Sequence, residues 1–432
     1  MEETREQRIE RLTAEFRKLL EEKFPEKGST MQRIEELTEE IGREIEQKIE
    51  EDATQQECRG YVGSTALCEC GRLARYVRDY TKHLVSLHGA RDITRAYYHC
   101  SHCKKGFCPL DGVLGLDGGN TTMAVRAKTA RLAALVPFHR CSVELSHLCG
   151  INISAKTVER LAELVGRHIG DEAAAVEEQI LNRFAQIPDL SPKRLYATMD
   201  GAMLSVDGAW KECKIGAVYE TALDAAGKLN AIKAEHVSTL GNSESFGDKL
   251  YCLAFRRGVE KAEEVVLVAD GARWIWNQAR DNFPGCVEIV DFYHAAEHLA
   301  EISRAWYGVD TPKQAQWLDE RKADLLDGRH KRVIRSLRAW RPTDPEHVHL
   351  RRVNLAYFMR NKERMRYHAF RDRGLHIGSG VVESACKTLA QARLKQAGMR
   401  WTHDGAEAIL QLRRMWVDAP DTNFAQYAAM AA

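Results

Sequence analysis

The sequence predicts an α/β fold preceded by smaller modules, and three observations carry that reading. From residue 195 onward the chain alternates as β-β-β-α-β-α-β-α. Six of the twelve cysteines fall between Cys58 and Cys108. Between these two regions, residues 122–169 keep a helical spacing of apolar side chains.

A chain of 432 residues, 44% hydrophobic and 29% charged, has the composition of a globular protein with two or three domains and a sizeable core. No apolar run reaches membrane-spanning length, and the start MEETREQRIE does not read as a signal peptide, so a cytoplasmic protein with no membrane partner is expected. Net charge is +1 but unevenly spread. Residues 1–57 carry eighteen acids and ten bases, whereas residues 320–373 carry sixteen bases and seven acids. A basic block inside a folded body points to a polyanion partner, set against the commoner case of a solvated helical surface.

Residues 4–24 and 31–52 read as two helices, with Leu12, Phe16, Leu19 and Leu20, then Ile34, Leu37, Ile41 and Ile45, at helical spacing. Pro25 and Gly28 break them. This segment, 1–57, looks non-chemical and suits self-association. The next, 58–112, holds Cys68-x-Cys70-Gly71 and Cys100-x-x-Cys103, with a strand-like aromatic stretch between. Two close pairs on hairpin turns can bring four thiolates to one tetrahedral Zn²⁺, a closed and therefore structural site. The first pair is one residue short of the usual spacing, which leaves Cys58, His99, His102 and Cys108 as substitutes and buried free thiols as the plain alternative.

Region 113–190 is helical. One helix ends near Cys149-Gly150, and Ser154 caps the next, which carries Lys156 and Arg160 on its early turns. A short Gly-containing turn between helices fits a helix-turn-helix that grips DNA, and equally a plain helical hairpin.

In region 191–308, LYATMD, WKECKIGAVYE and LNAIKAEHVS read as three strands, 243–264 as a helix, VVLVAD as a buried strand and CVEIVDFYH as another. Asp200 and Asp270 end the first and fourth strands, which are neighbours in an open sheet of this order. Apposed carboxylates repel and stay ionised together only around a cation, and hard oxygen ligands suit Mg²⁺ or Mn²⁺. Residues 309–375 read as a basic helical insertion in which Arg332 and Arg335 face DNA, while Trp340, Tyr357 and Tyr367 either stack on bases or fill the core. In 376–432 the string GSGVVESACK places Glu383 at a helix start among apolar neighbours, where a lone carboxylate is costly. Delivered across the sheet, it completes a set of three acids able to hold two ions roughly 3.5–4 Å apart. Lys387, Arg393, Lys395 and Arg400 follow it and could clamp phosphates. Asp291 and His294 form a second constellation one strand over, as metal support, as a DNA contact, or with Asp291 in competition with Asp270.

The strings ALCECGR, YHCSHCKKGFCPLDGVLGL, VELSHLCGINISAKTVERLAE, TMDGAML, VLVADGARWIW, DFYHAAEHL and IGSGVVESACK, spread over residues 66–400, resemble the bacterial insertion-sequence transposases of the ISKra type, distant relatives of the Mutator-like transposases. The resemblance implies an RNase H-like catalytic core interrupted by a helical insertion, with a catalytic triad on Asp200, Asp270 and Glu383. It ties His294 to the active site. The activity implied is Mg²⁺- or Mn²⁺-dependent cleavage at transposon ends and strand transfer into target DNA. The expected partners are double-stranded terminal inverted repeats, target DNA and further copies of the chain, at a bacterial nucleoid. A transposase-derived DNA-binding regulator and a nuclease without strand transfer are the alternatives.

Overall fold

The structure is a computed structural model that describes residues 4–23, 30–56, 58–116 and 119–429. The breakers Pro25 and Gly28 and the side chain of Cys58 lie outside that description. The chain is a mixed α/β protein and divides into two compact units. One comprises residues 1–133, 137–161 and 423–432; the other comprises 134–136 and 162–422. The division falls inside one long helix, Ala155–Leu181, which outruns the 154–168 span read from the sequence.

The first unit opens with helices Arg5–Lys23 and Met31–Gln56. Leu37 and Ile41 are buried, but Ile9, Leu12 and Leu19 stand exposed. An antiparallel sheet follows in the order β1 (Thr65–Leu67), β2 (Leu73–Ser86), β3 (Gly89–His99) and β4 (Gly106–Phe107). β2 is rich in Arg, Lys, Tyr and Thr and half exposed, so it lacks the apolar run that marks a strand in sequence, and only part of β3 was legible. Helices Phe138–Cys149 and Ala155–Leu181 flank a turn at Gly150, and Ser154 Oγ accepts the Thr157 amide at 3.1 Å as the predicted N-cap.

The second unit is built on a five-stranded sheet: β5 (Leu195–Val206), β6 (Ala209–Leu223), β7 (Leu229–Thr239), β8 (Val265–Ala269) and β9 (Val287–Val290), in spatial order β7-β6-β5-β8-β9. β5, β6 and β7 form an antiparallel meander, and β8 and β9 run parallel to β5. β5 does not stop at Asp200. Its pairing with β8 ends at Met199↔Ala269, while pairing with β6 continues to Val206↔Ala209, closed by a turn with Asp207 and Gly208 at φ 51° and 77°. That Asp-Gly turn matches strand twist and makes a long hairpin arm beyond the sheet. The sequence-predicted helix 243–264 is Ser243–Arg256 followed by a short turn, and the strand predicted to reach residue 294 ends at Val290.

The insertion is helical as expected: Pro312–Leu326, His330–Ala339, Pro345–Arg360 and Tyr367–Asp372. It is not a separate module. Trp317, Leu337, Trp340, Tyr357, Phe358 and Tyr367 belong to the same apolar core as β5, β8 and β9. Trp340, Tyr357 and Tyr367 are 5%, 7% and 0% exposed, so none of the three can stack on a base. Each instead contributes about 2–3 kcal/mol of apolar burial that joins insertion to sheet. No described helix is long and apolar enough to cross a membrane.

Candidate active site and metal centre

Asp200 and Asp270 stand beside each other because β5 and β8 are hydrogen-bonded neighbours that run in parallel. The register pairs Met199 with Ala269, so each acid is the next residue on its strand path. Gly271 then turns the chain at φ 101°. A Cβ there would lie 2.9 Å from the Tyr357 ring, so both conformation and space select glycine. Asp270 Oδ1 accepts the Ala272 amide at 2.8 Å. Among the described residues no donor reaches its Oδ2.

Glu383 comes from helix Gly380–Ala385, packed over β5 and β6. One turn on, the buried Cys386 thiol donates to Asp200 Oδ2 at 3.4 Å, and burial raises its pKa, so it stays a donor. This bond pins the Glu383 helix to the first acid. Glu383 is exposed and its carboxylate has no partner among the described residues. From Cys386 to Gln391 the helix widens into a π turn, with the Ala392 amide bonded to Lys387 O, a rare form often found at functional sites.

The electrostatics suit a cation. Burial raises the Asp200 pKa, the neighbouring Asp270 raises it further, and the Gly201 amide, the Cys386 thiol and His294 oppose the rise. Half-buried acids with unengaged oxygens fit hard divalent ions such as Mg²⁺ or Mn²⁺. They are not gathered as tightly as the thiols described below: among the described residues, only the cysteines form a set of three or more ligating groups with all donor atoms within 4.8 Å.

Asp291 has a role other than the ones expected. It is 0% exposed and caps helix Phe292–Tyr307, accepting the Tyr293 and His294 amides at 2.5 and 3.3 Å through Oδ1. Through Oδ2 it accepts the Ser379 amide at 2.8 Å and the Ser379 hydroxyl. With four donors and no exposure it neither touches DNA nor competes with Asp270. It ties the loop that leads into Glu383 to the end of β9. His294, one turn into the helix, is half-exposed and acts electrostatically on Asp200. Its ring meets His298 edge-on at 4.9 Å.

Sequence reasoning missed Cys386, His298 and Tyr357. Tyr357 donates its hydroxyl to the Asp270 carbonyl at 3.0 Å, and His298 lies against its ring at 4.1 Å. His298 Nδ1 donates to Asn354 Oδ1 at 2.7 Å. Helix Pro345–Arg360 therefore seats the insertion on both the Asp270 turn and the His294 helix. Only Cys386 left a signal, its i+3 spacing from Glu383; the other two depend on contacts far apart in sequence.

The basic residues divide. Lys156, Arg160, Arg332, Arg335, Lys387, Lys395 and Arg400 are exposed. Lys156 pairs with Glu159 at 2.9 Å and Arg332 with the buried Asp324 at 3.6 Å. Arg393, expected on the phosphate-facing side, is 0% exposed, with its guanidinium 5.3 Å from the centre of the Trp401 ring. The π turn rotates the helix after Cys386, and Arg393 faces inward in consequence.

In the first unit, the β1–β2 turn presents Cys68 and Cys70 and the β3–β4 turn presents Cys100 and Cys103. Cys68 Sγ lies 3.5 Å from Cys103 Sγ, and Cys70 Sγ 3.7 Å from Cys100 Sγ. The Cys103 amide draws the Cys100 thiol down to about 6 against the opposing effect of burial, which favours a thiolate. Four thiols so arranged can hold a structural metal such as zinc, and His99, His102 and Cys108 are not in the set.

Comparison with known proteins adds a family. A protein from Streptococcus gallolyticus named "UPF0236 protein in vanSb 3'region" is 23% identical over 322 residues, covering 72% of this chain and 67% of that protein. The family profile UPF0236, described as an uncharacterised protein family, matches residues 30–427. A match over that span makes the chain a member of family UPF0236.

Proposed function

We propose that this protein is a DNA transposase with an RNase H-like core, cutting at transposon ends and joining the freed ends to target DNA. The observation that carries the reading is the meeting of three acids from distant parts of the chain. Asp200 and Asp270 lie on adjacent parallel strands, and the Cys386–Asp200 bond holds the helix of Glu383 beside them. The sheet order and strand directions, with insertion helices between β9 and Glu383, fit that core.

Asp200, Asp270 and Glu383 would hold the divalent ions. Bound there, such ions activate a water or 3′-hydroxyl and stabilise the leaving oxygen of a phosphodiester. The chain's own residues do the rest. Burial and repulsion between the acids disfavour the empty ionised pair and so favour cation capture. His294 reaches the same cleft half-exposed, placed to donate to a phosphate oxygen or a departing oxyanion. Lys387, Lys395 and Arg400 would contact the DNA backbone, and the helix-turn-helix with Lys156 and Arg160, together with the cysteine module, would grip the terminal repeat. Two ends must be held together, which calls for more than one copy of the chain, and exposed Leu12 and Leu19 on the first helix suit that contact.

The test is cleavage of a labelled duplex carrying the element's terminal repeat, with Mg²⁺, by wild type and Glu383→Gln. The expected result is that wild type nicks the end, whereas the variant binds the duplex and leaves it intact. Equal cutting by both removes Glu383 from the site. Binding without cutting by either favours a regulator that has kept only the DNA-gripping parts.

A further inference from the structure

The β5–β6 hairpin arm carries a feature the triad does not use. Of the chain's eight tryptophans, seven are buried or half-buried and only Trp210 is exposed, at 63%. It sits just past the Asp207–Gly208 turn, paired with Ser205. Met203, 43% exposed, lies two residues back on the same face of the arm.

The tip is held in place. The Asp207 amide donates to Trp401 O at 2.9 Å, the Trp401 amide to Ser205 O at 3.1 Å, and the His403 amide to Asp207 Oδ1 at 3.2 Å. Lys211 neutralises Asp207 at 2.8 Å. Lys395 Nζ lies 5.8 Å from the centre of the Trp210 ring. Among the described residues, exposed Lys387, Lys395 and Arg400 have no acidic partner. An exposed indole on an anchored arm, beside cations without counter-charges, lacks the features of a core residue out of place. It offers a flat π face with positive charge at its edge, the pairing that binds unpaired nucleotides.

We propose that the β5–β6 tip is a binding site for a single-stranded stretch of DNA, with a base stacked on Trp210, Met203 extending the apolar strip, and Lys395 and Arg400 against adjacent phosphates. The inference deepens the transposase reading and rests on it for the source of the strand. Five residues separate Asp200 from Ser205, about 17 Å along a strand. A strand opened at the cleavage point can span that distance.

The test needs no metal and no cleavage. Full-length wild type, Trp210→Ala and Trp210→Phe are titrated in EDTA against fluorescein-labelled oligothymidylate of about twenty nucleotides and against a duplex of equal length, read by anisotropy. Trp210→Ala should lose about tenfold in affinity for the single strand and less than twofold for the duplex, and Trp210→Phe should keep most of the binding. Because the side chain is exposed, all three should melt alike. Unchanged single-strand affinity in Trp210→Ala, an equal loss on both probes, or a wild type that ignores oligothymidylate overturns the proposal. So does a change of oligomeric state in Trp210→Ala, which would make the tip a protein contact. None of these outcomes bears on the Glu383→Gln cleavage result, so the two readings fail separately.

Discussion

Asp291 offers the sharpest test of how the candidate site is supported. Replacing it by alanine removes a helix N-cap, which costs about 1 kcal/mol. It also leaves the buried Ser379 amide without its acceptor, about 1–3 kcal/mol more. With the Ser379 hydroxyl bond added, the expected loss is roughly 3–4 kcal/mol, or a fall in Tm of about 10 °C for a unit of this size. Asp291→Asn keeps an acceptor for the helix amides but turns an NH₂ group toward the Ser379 amide, so it should lose about two thirds as much. Ser379→Ala should cost only about 1 kcal/mol, because the Asp291 carboxylate keeps its other donors. The assay is thermal denaturation by circular dichroism, with and without Mn²⁺. A melt of Asp291→Ala within about 2 °C of wild type would refute the buried-anchor account. A normal melt combined with a lost Mn²⁺ response would make Asp291 a metal ligand instead.

Three other outcomes are expected. Cys100→Ser should abolish a stoichiometric zinc content measured by atomic absorption, and chelation of the wild type should unfold the cysteine module in the same way. Because burial raises the Asp200 pKa, its ionisation works against folding: that cost is absent below the unfolded value and grows as pH climbs through the folded one. Asp200→Asn should therefore melt higher than wild type at neutral pH without metal while losing cleavage, and a lower melt would contradict this. Burial, with help from His294, holds the His298 pKa below its usual value, so the stability it confers is present above about pH 6.5 and fades as pH falls through the lowered value. His298→Gln should flatten the decline of Tm between neutral and mildly acidic pH; His376, also lowered by burial, would account for what slope remains.

The sequence made the sheet readable because β8 is a short, uniformly apolar run ending in an acid and a glycine, a pattern with few other solutions. The cysteine set was legible for a similar reason, since two close pairs on tight turns can converge in few ways. The rest depended on contacts that leave no local trace. β2 is polar along most of its length, so its membership of a sheet is set by its partner β3. Asp291 resembles a strand-end acid in sequence, and only the arrival of Ser379 from 88 residues away makes it a buried anchor. Tyr357 occupies a basic stretch whose charge suggested a DNA face, yet its hydroxyl and ring are spent on Asp270 and Gly271. Arg393 was placed by counting 3.6 residues per turn through a segment that does not keep that period.

That last segment has a consequence for how relatives are compared. A π turn is what remains when one residue is added to a helix without disturbing its ends, so the Cys386–Gln391 stretch stores a single unit of length. Deleting one residue there would let the helix relax to its ordinary pitch and turn everything after it by about 100°. Leu394 and Arg393 would swing out of the interior, whereas Glu383 and Cys386, upstream, would keep their places. Among related chains, then, a gap of one residue in this stretch signals a change in which side chains the following helix presents, and it leaves the acid ahead of it untouched.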